Sequence, residues 1–178
     1  MIKEFSVHPK PQNSNSKIAV LIAVAVACLG FVSYFLVDRY QGIIGLFALC
    51  SLTTAILIYT KYISPEFYYD IKLEDDNTFL FVVRQVIGKR HTTLCRIDMA
   101  DIISVTKETK KERRSHKSES NVRKYIYAPT LFPDKTFRIT TKSRYESAEI
   151  IIEGTDEFCQ MLSEYSKEAR ELRLLDEE

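Results

Sequence analysis

Two apolar stretches without a single charge stand almost back to back near the N-terminus, and nothing like them recurs in the chain. Ile18 to Val37 runs for 20 residues between Lys17 and Asp38, and Tyr40 to Thr60 for 21 between Arg39 and Lys61. At about 1.5 Å per residue each makes a helix of roughly 30 Å, the thickness of a bilayer's hydrocarbon core. Residues 64–178 are strand-like and charged by contrast. The expected organisation is a tail at 1–17, a transmembrane helical hairpin at 18–63 (spans 18–37 and 41–61), and one soluble domain at 64–178.

Only Asp38-Arg39-Tyr40-Gln41 joins the spans, so the helices must be antiparallel neighbours. Small residues let them approach: Ala19, Ala23 and Ala27 on the first helix, Gly42, Gly45 and Ala48 on the second. Close packing through small side chains is the usual glue between helices in lipid. Tyr34, Tyr40, Tyr59 and Tyr62 fall near the span ends, where amphipathic rings prefer to sit. The first span is longer than the core of a cleaved signal peptide, so it is expected to stay. The tail holds Lys3, Lys10 and Lys17, the loop one Arg beside an Asp, and Lys61 follows the second span. The positive-inside rule then places both termini in the cytoplasm. Neither span carries an ionisable residue apart from tyrosine and cysteine, which argues against a proton relay or ion pathway in the hairpin.

The overall charge of +1 averages unlike parts. Residues 1–63 carry five Lys/Arg against two Asp/Glu, and residues 64–178 carry 20 against 22. A domain-wide basic footprint for nucleic acid is therefore missing. Cys28, Cys50, Cys95 and Cys159 are scattered without a CxxC pair, and His8, His91 and His116 lie far apart. That usage reads as reduced thiols in a reducing compartment, with no metal site and no cofactor.

In the soluble part, Tyr68–Leu73, Phe79–Val86, Thr92–Ile97, Ile102–Thr106, Tyr125–Tyr127, Phe137–Thr141 and Ala148–Glu153 read as strands. Glu74-Asp75-Asp76-Asn77 and Asp98-Met99-Ala100-Asp101 read as turns between them. Phe137, Ile139 and Thr141 share one face. After Gly154 the period changes. Thr155 suits an N-cap, Asp156 and Glu157 suit the first turn, and Phe158, Met161, Leu162, Tyr165, Ala169 and Leu172 recur at helical spacing over 156–173.

Six or seven antiparallel strands closed by one helix resemble a bacterial pleckstrin-homology-like (PH-like) domain. The segments that carry the resemblance are Phe79-Leu80-Phe81-Val82-Val83 and Ile97-Asp98-Met99-Ala100-Asp101-Ile102-Ile103-Ser104-Val105, with its Asp-Ile-x-x-Val step. The resemblance implies an α+β fold: a two-helix hairpin followed by an antiparallel split β-barrel plugged by the C-terminal helix. It also implies binding in place of catalysis. Domains of this class that grip phosphoinositides put Lys and Arg in the first strand-joining loop, and here that loop is acidic, which argues against inositol-phosphate recognition.

No GxSxG, Gly-rich phosphate loop, HExxH or CxxC is present, so the chain is not expected to be an enzyme. Asp98 and Asp101 are a carboxylate pair by spacing but read as turn and cap residues. The one local electrostatic feature is residues 107–124. Lys107, Lys110, Lys111, Arg113, Arg114, Lys117, Arg123 and Lys124 stand there against three Glu, a local net of +5. The run reads as a long solvated loop able to meet anionic headgroups. It lacks the interleaved aromatic residues of a nucleic-acid platform. Two functions follow: a membrane-anchored interaction or scaffold module for a protein partner or a second copy, or an electrostatic sensor of anionic lipid.

Overall fold

The structure, a computed structural model, describes residues 5–11, 14–74, 78–115, 122–142 and 147–176. The chain forms two compact units. One comprises Met1–Lys10, Glu66–Pro129 and Pro133–Glu178, and the other Pro11–Pro65 with Thr130–Phe132.

In the second unit α1 (Asn15–Leu36) and α2 (Gln41–Ile58) pack against each other across a 3-10 turn at Asp38–Tyr40. A π-helical turn, Tyr59–Ile63, ends the second helix. With that turn the two helices run for 22 and 23 residues and are long and apolar enough to cross a membrane. Ala27, Ala48 and Ala55 are the buried apolar residues of the seam. At Gly30 the approach is closest: a Cβ there would lie 2.8 Å from Ala48 Cβ. Gly42, by contrast, has open space around it. The seam therefore takes in Ala23, Ala27, Gly30, Gly45, Ala48 and Ala55, most of the small residues that the spacing singles out, and leaves Gly42 outside. Polar side chains within the helices bond to backbone. Ser51 donates to Ala23 O across the seam at 2.8 Å, and Thr53 and Thr54 donate to Leu49 O and Cys50 O. Such back-bonding satisfies the hydroxyls within the helices themselves.

The other unit holds two four-stranded sheets. The first has the order β1 (Phe5–Val7), β2 (Glu66–Leu73), β3 (Phe79–Ile87), β4 (Arg90–Asp98), all antiparallel. A 3-10 turn at Met99–Asp101 leads into the second sheet. Its members are β5 (Ile102–Thr109), β6 (Arg123–Tyr127), β7 (Lys135–Lys142) and β8 (Ser147–Ile152), in the order β5-β7-β8-β6. Short α3 (Lys110–Ser115) follows β5, and α4 (Asp156–Asp176) ends the chain.

Every expected strand is present, so the α+β class holds, with four corrections. The domain starts earlier than residue 64: Phe5–Val7, part of the expected tail, is the edge strand of the first sheet. The strands are not all antiparallel, because β6 pairs with β8 in parallel. Among the described residues the two sheets share no strand, so no closed barrel forms. Lastly, 107–124 is not one loop. Its start extends β5, its middle is α3, and its end opens β6. Two expectations lie partly outside the described residues, Asp75-Asp76-Asn77 of the acidic turn and Lys117 of the basic run.

Alternation explains the core. Tyr69 and Ile71 of β2, Phe81 and Val83 of β3, Phe137 and Ile139 of β7, and Ile150 and Ile152 of β8 meet Phe158 and Leu162 of α4 in one cluster. Each such side chain contributes on the order of 1.5–3 kcal/mol through burial. Thr155 caps α4 as expected, its Oγ1 accepting from Phe158 N at 3.2 Å. Leu172, expected on the buried face, is instead 49 % exposed near the end of α4. Arg173 is the last fastening, bonded to both Asp98 and Asp101.

Candidate functional site

The basic run begins inside the sheet. Lys107 in β5 is bonded by its Nζ to Asp156 at the start of α4, at 2.5 Å. α3 then forms because Thr109 and Glu112 make a capping box. Glu112 Oε2 accepts from Thr109 N at 2.7 Å, and Thr109 Oγ1 accepts from Glu112 N at 3.5 Å. Those hydrogen bonds hold the Glu112 carboxyl below its usual range. Arg113 donates to Pro133 O at 3.1 Å, and Lys110 N to Asp134 O at 3.2 Å. Lys110 and Lys111 are exposed, and Arg114 lies in the same helix. Arg123 and Lys124 are exposed residues of β6.

Register separates the two groups. Arg123 pairs with Ala148, which faces Thr141, which faces Ile102 at the start of β5. α3 follows the other end of β5, seven positions further, or about 20 Å along the strands. The eight cations therefore do not form one patch. Lys107, Lys110, Lys111 and Arg113 lie at one end of the second sheet, and Arg123 and Lys124 at the other.

Elsewhere charges are consumed by structure. Arg138 of β7, almost wholly buried, lies between two buried carboxylates: Nε is 2.8 Å from Glu108 Oε1 and Nη1 2.8 Å from Glu149 Oε2. The Asp98–Asp101 pair is a cap and a clamp. Asp98 Oδ1 accepts from Ala100 N at 2.8 Å while both residues hold Arg173. Asp70 is buried beneath β1, bonded to Ser6 and Arg84. Burial pushes its carboxyl up, but the Arg84 and Ser6 hydrogen bonds outweigh that and hold it below its usual range. Tyr69, fully buried, donates to Tyr127 O at 2.6 Å and accepts from Glu153 N at 3.3 Å, and its hydroxyl is pushed up by burial. It ties the two sheets together through one oxygen.

The thiols are correspondingly quiet. Burial pushes Cys95 up to about 11 and Cys159 up to about 12, so both stay protonated at neutral pH. Among the described residues no group of three His, Cys, Asp or Glu is placed to hold a metal ion.

Sequence reasoning missed three features. Thr109-Lys110-Lys111-Glu112 has the Ser/Thr-x-x-Glu form of a capping box, which was there to be read. Phe5-Ser6-Val7 alternates, but three residues before two prolines carry little strand signal. Arg138, between Phe137 and Ile139, has the look of an outward-facing charge, and only the presence of Glu108 and Glu149 on adjacent strands accounts for its burial. No family model, curated protein or solved structure matches the chain.

Proposed function

We propose that this chain is a two-pass membrane protein that displays a PH-like interaction domain on the cytoplasmic face of a bacterial plasma membrane, and that it binds partners without catalysing a reaction. Its outer helical surface supports the membrane reading: Leu21, Phe35 and Ile43 are each at least 70 % exposed, which suits lipid and not water. The order of elements, a strand-rich domain ending in a helix packed on both sheets, supports the PH-like assignment.

One observation carries the reading. Phe5–Val7 precedes the hairpin and Tyr69–Ile71 follows it, yet they are neighbouring strands of one sheet. A sheet completed from both flanks of a hairpin requires both flanks in one compartment, as two crossings provide. The excess of Lys over acids on those flanks favours the cytoplasm. The domain is thus held by both ends of its anchor, an arrangement suited to display. The outer strands β4 and β6 offer edges to an extended partner segment, and Ile126 of β6 is 61 % exposed.

Reporter fusions at each terminus test the topology, with cytoplasmic signal expected at both. A photo-reactive amino acid in place of Ile126 tests the partner reading in intact cells. A discrete protein adduct is expected there, and its absence both there and at Thr93 of β4 would overturn the interaction role.

A further inference from the structure

We propose that the end of the soluble domain bearing Ile87, Lys89 and Arg90, together with Lys110 and Lys111, rests on the anionic headgroups of the bilayer that holds the hairpin. The inference rests on the membrane reading above and adds the surface and the lipid chemistry. It starts from register. Glu66 opens β2 and pairs with Val86 of β3, so the turn at 87–90 projects one step beyond the first residue of β2. Glu66 follows Ile63, the last helical residue, by three positions. Three extended residues reach about 10 Å, little more than a headgroup layer and about one Debye length at 0.1 M salt. The turn cannot be far from lipid.

Its composition fits that place. Gly88, at φ 60°, lets β3 reverse into β4 through Gly88 and Lys89 alone, with Ile87 opposite Arg90. Ile87 is 44 % exposed at the tip, beside the exposed Lys89 and Arg90. Neither cation forms an ion pair among the described residues, whereas Arg84, Arg96, Arg138 and Arg173 are all spent on carboxylates. α3 lies at the same end. β4 leaves the turn and ends at Asp98, close to the start of β5 at Ile102. Tyr127, level with Lys107 through Ile152 and Phe137, donates to Leu94 O at 3.4 Å, so β5 advances toward the turn end and α3 follows it there. Lys110 and Lys111 therefore lie toward the same end as Ile87, Lys89 and Arg90, while Arg123 and Lys124 lie at the opposite end of the second sheet. Headgroup attraction of this kind shifts the contact equilibrium about five-fold per cation, hence about thirty-fold for a pair.

The test uses the full chain in vesicles, with photo-reactive benzoylphenylalanine replacing Ile87 and, as a separate control, Leu46 of α2. Vesicles are phosphatidylcholine alone or mixed in equal parts with phosphatidylglycerol. Lipid adducts at position 87 are expected chiefly with phosphatidylglycerol, reduced by high salt and by Lys89→Ser with Arg90→Ser, and unaffected by Arg123→Ser with Lys124→Ser. Adducts at 46 without adducts at 87 would overturn the surface and leave the anchor standing. Absence at both positions would overturn the membrane reading itself. Adducts at 87 that ignore lipid charge would remove the electrostatic part, and adducts to protein alone would replace the bilayer by a protein partner.

Discussion

The helical hairpin and the β domain solve the packing problem with opposite materials. The hairpin closes on Ala27, Gly30 and Ala48 and turns its large side chains outward. The domain does the reverse, burying Tyr69, Phe81 and Phe158 and enclosing the charged set Glu108, Arg138 and Glu149. In water the large apolar groups must be hidden, and hiding them generates most of the stability. In lipid, the setting proposed for the hairpin, that drive is missing, so helices gain by bringing backbones close, and the best contact residue is the smallest. The two regions should therefore fail under opposite substitutions.

The largest expected effect is in the domain. Arg138→Met leaves two buried carboxylates without their cation and should cost about 3–5 kcal/mol in urea unfolding of the full chain in detergent. A cost below about 1 kcal/mol would mean that the two carboxylates find water or protons with ease. In the hairpin the sensitive change runs from small to large. Gly30→Leu should destabilise by about 1–3 kcal/mol in detergent-titrated unfolding, while Gly42→Leu, at a position with open space, should be neutral. Equal effects would break the contrast at its root.

The smallest effect is a pH dependence confined to the domain. The folded Asp70 carboxyl sits below its unfolded value of about 3.9, so its contribution is fully present above that value. It is lost as pH falls through the lower, folded value. Stability of the first sheet should decline below about pH 4, read by hydrogen exchange at β1 and β2, and Asp70→Asn should flatten that decline. The hairpin helices, whose spans carry no carboxylate, should exchange alike across the same range.

What could be read in advance follows the same division. The hairpin was legible because span length and absence of charge are properties of composition. The strands from Tyr68 to Glu153 were legible because alternation and β-branching are local. β1 was not, since its pairing with Asp70 joins residues 64 positions apart, and no local pattern encodes a partner so distant. The splitting of the basic run was half legible. Thr109 and Glu112 announce a helix, but nothing in the run says that Arg123 begins a strand at the far end of the sheet. Six consecutive β7 residues, Thr136 to Thr141, are buried or nearly so on both faces, which alternation, as a signal of one buried face, does not anticipate.

The pairing of Phe5–Val7 with β2 also sets an order of events. The first strand of the sheet is synthesised before either helix, and its partner only after both. Until β2 and α4 have been made, β1 has nothing to join, Phe5 has no Phe158 to stack on, and Ser6 has no Asp70. A chain that crossed once, or three times, would leave these strands on opposite sides of the membrane and the sheet one strand short. Completion of the sheet is thus a check on threading, since it rules out every arrangement in which the hairpin crosses a membrane an odd number of times.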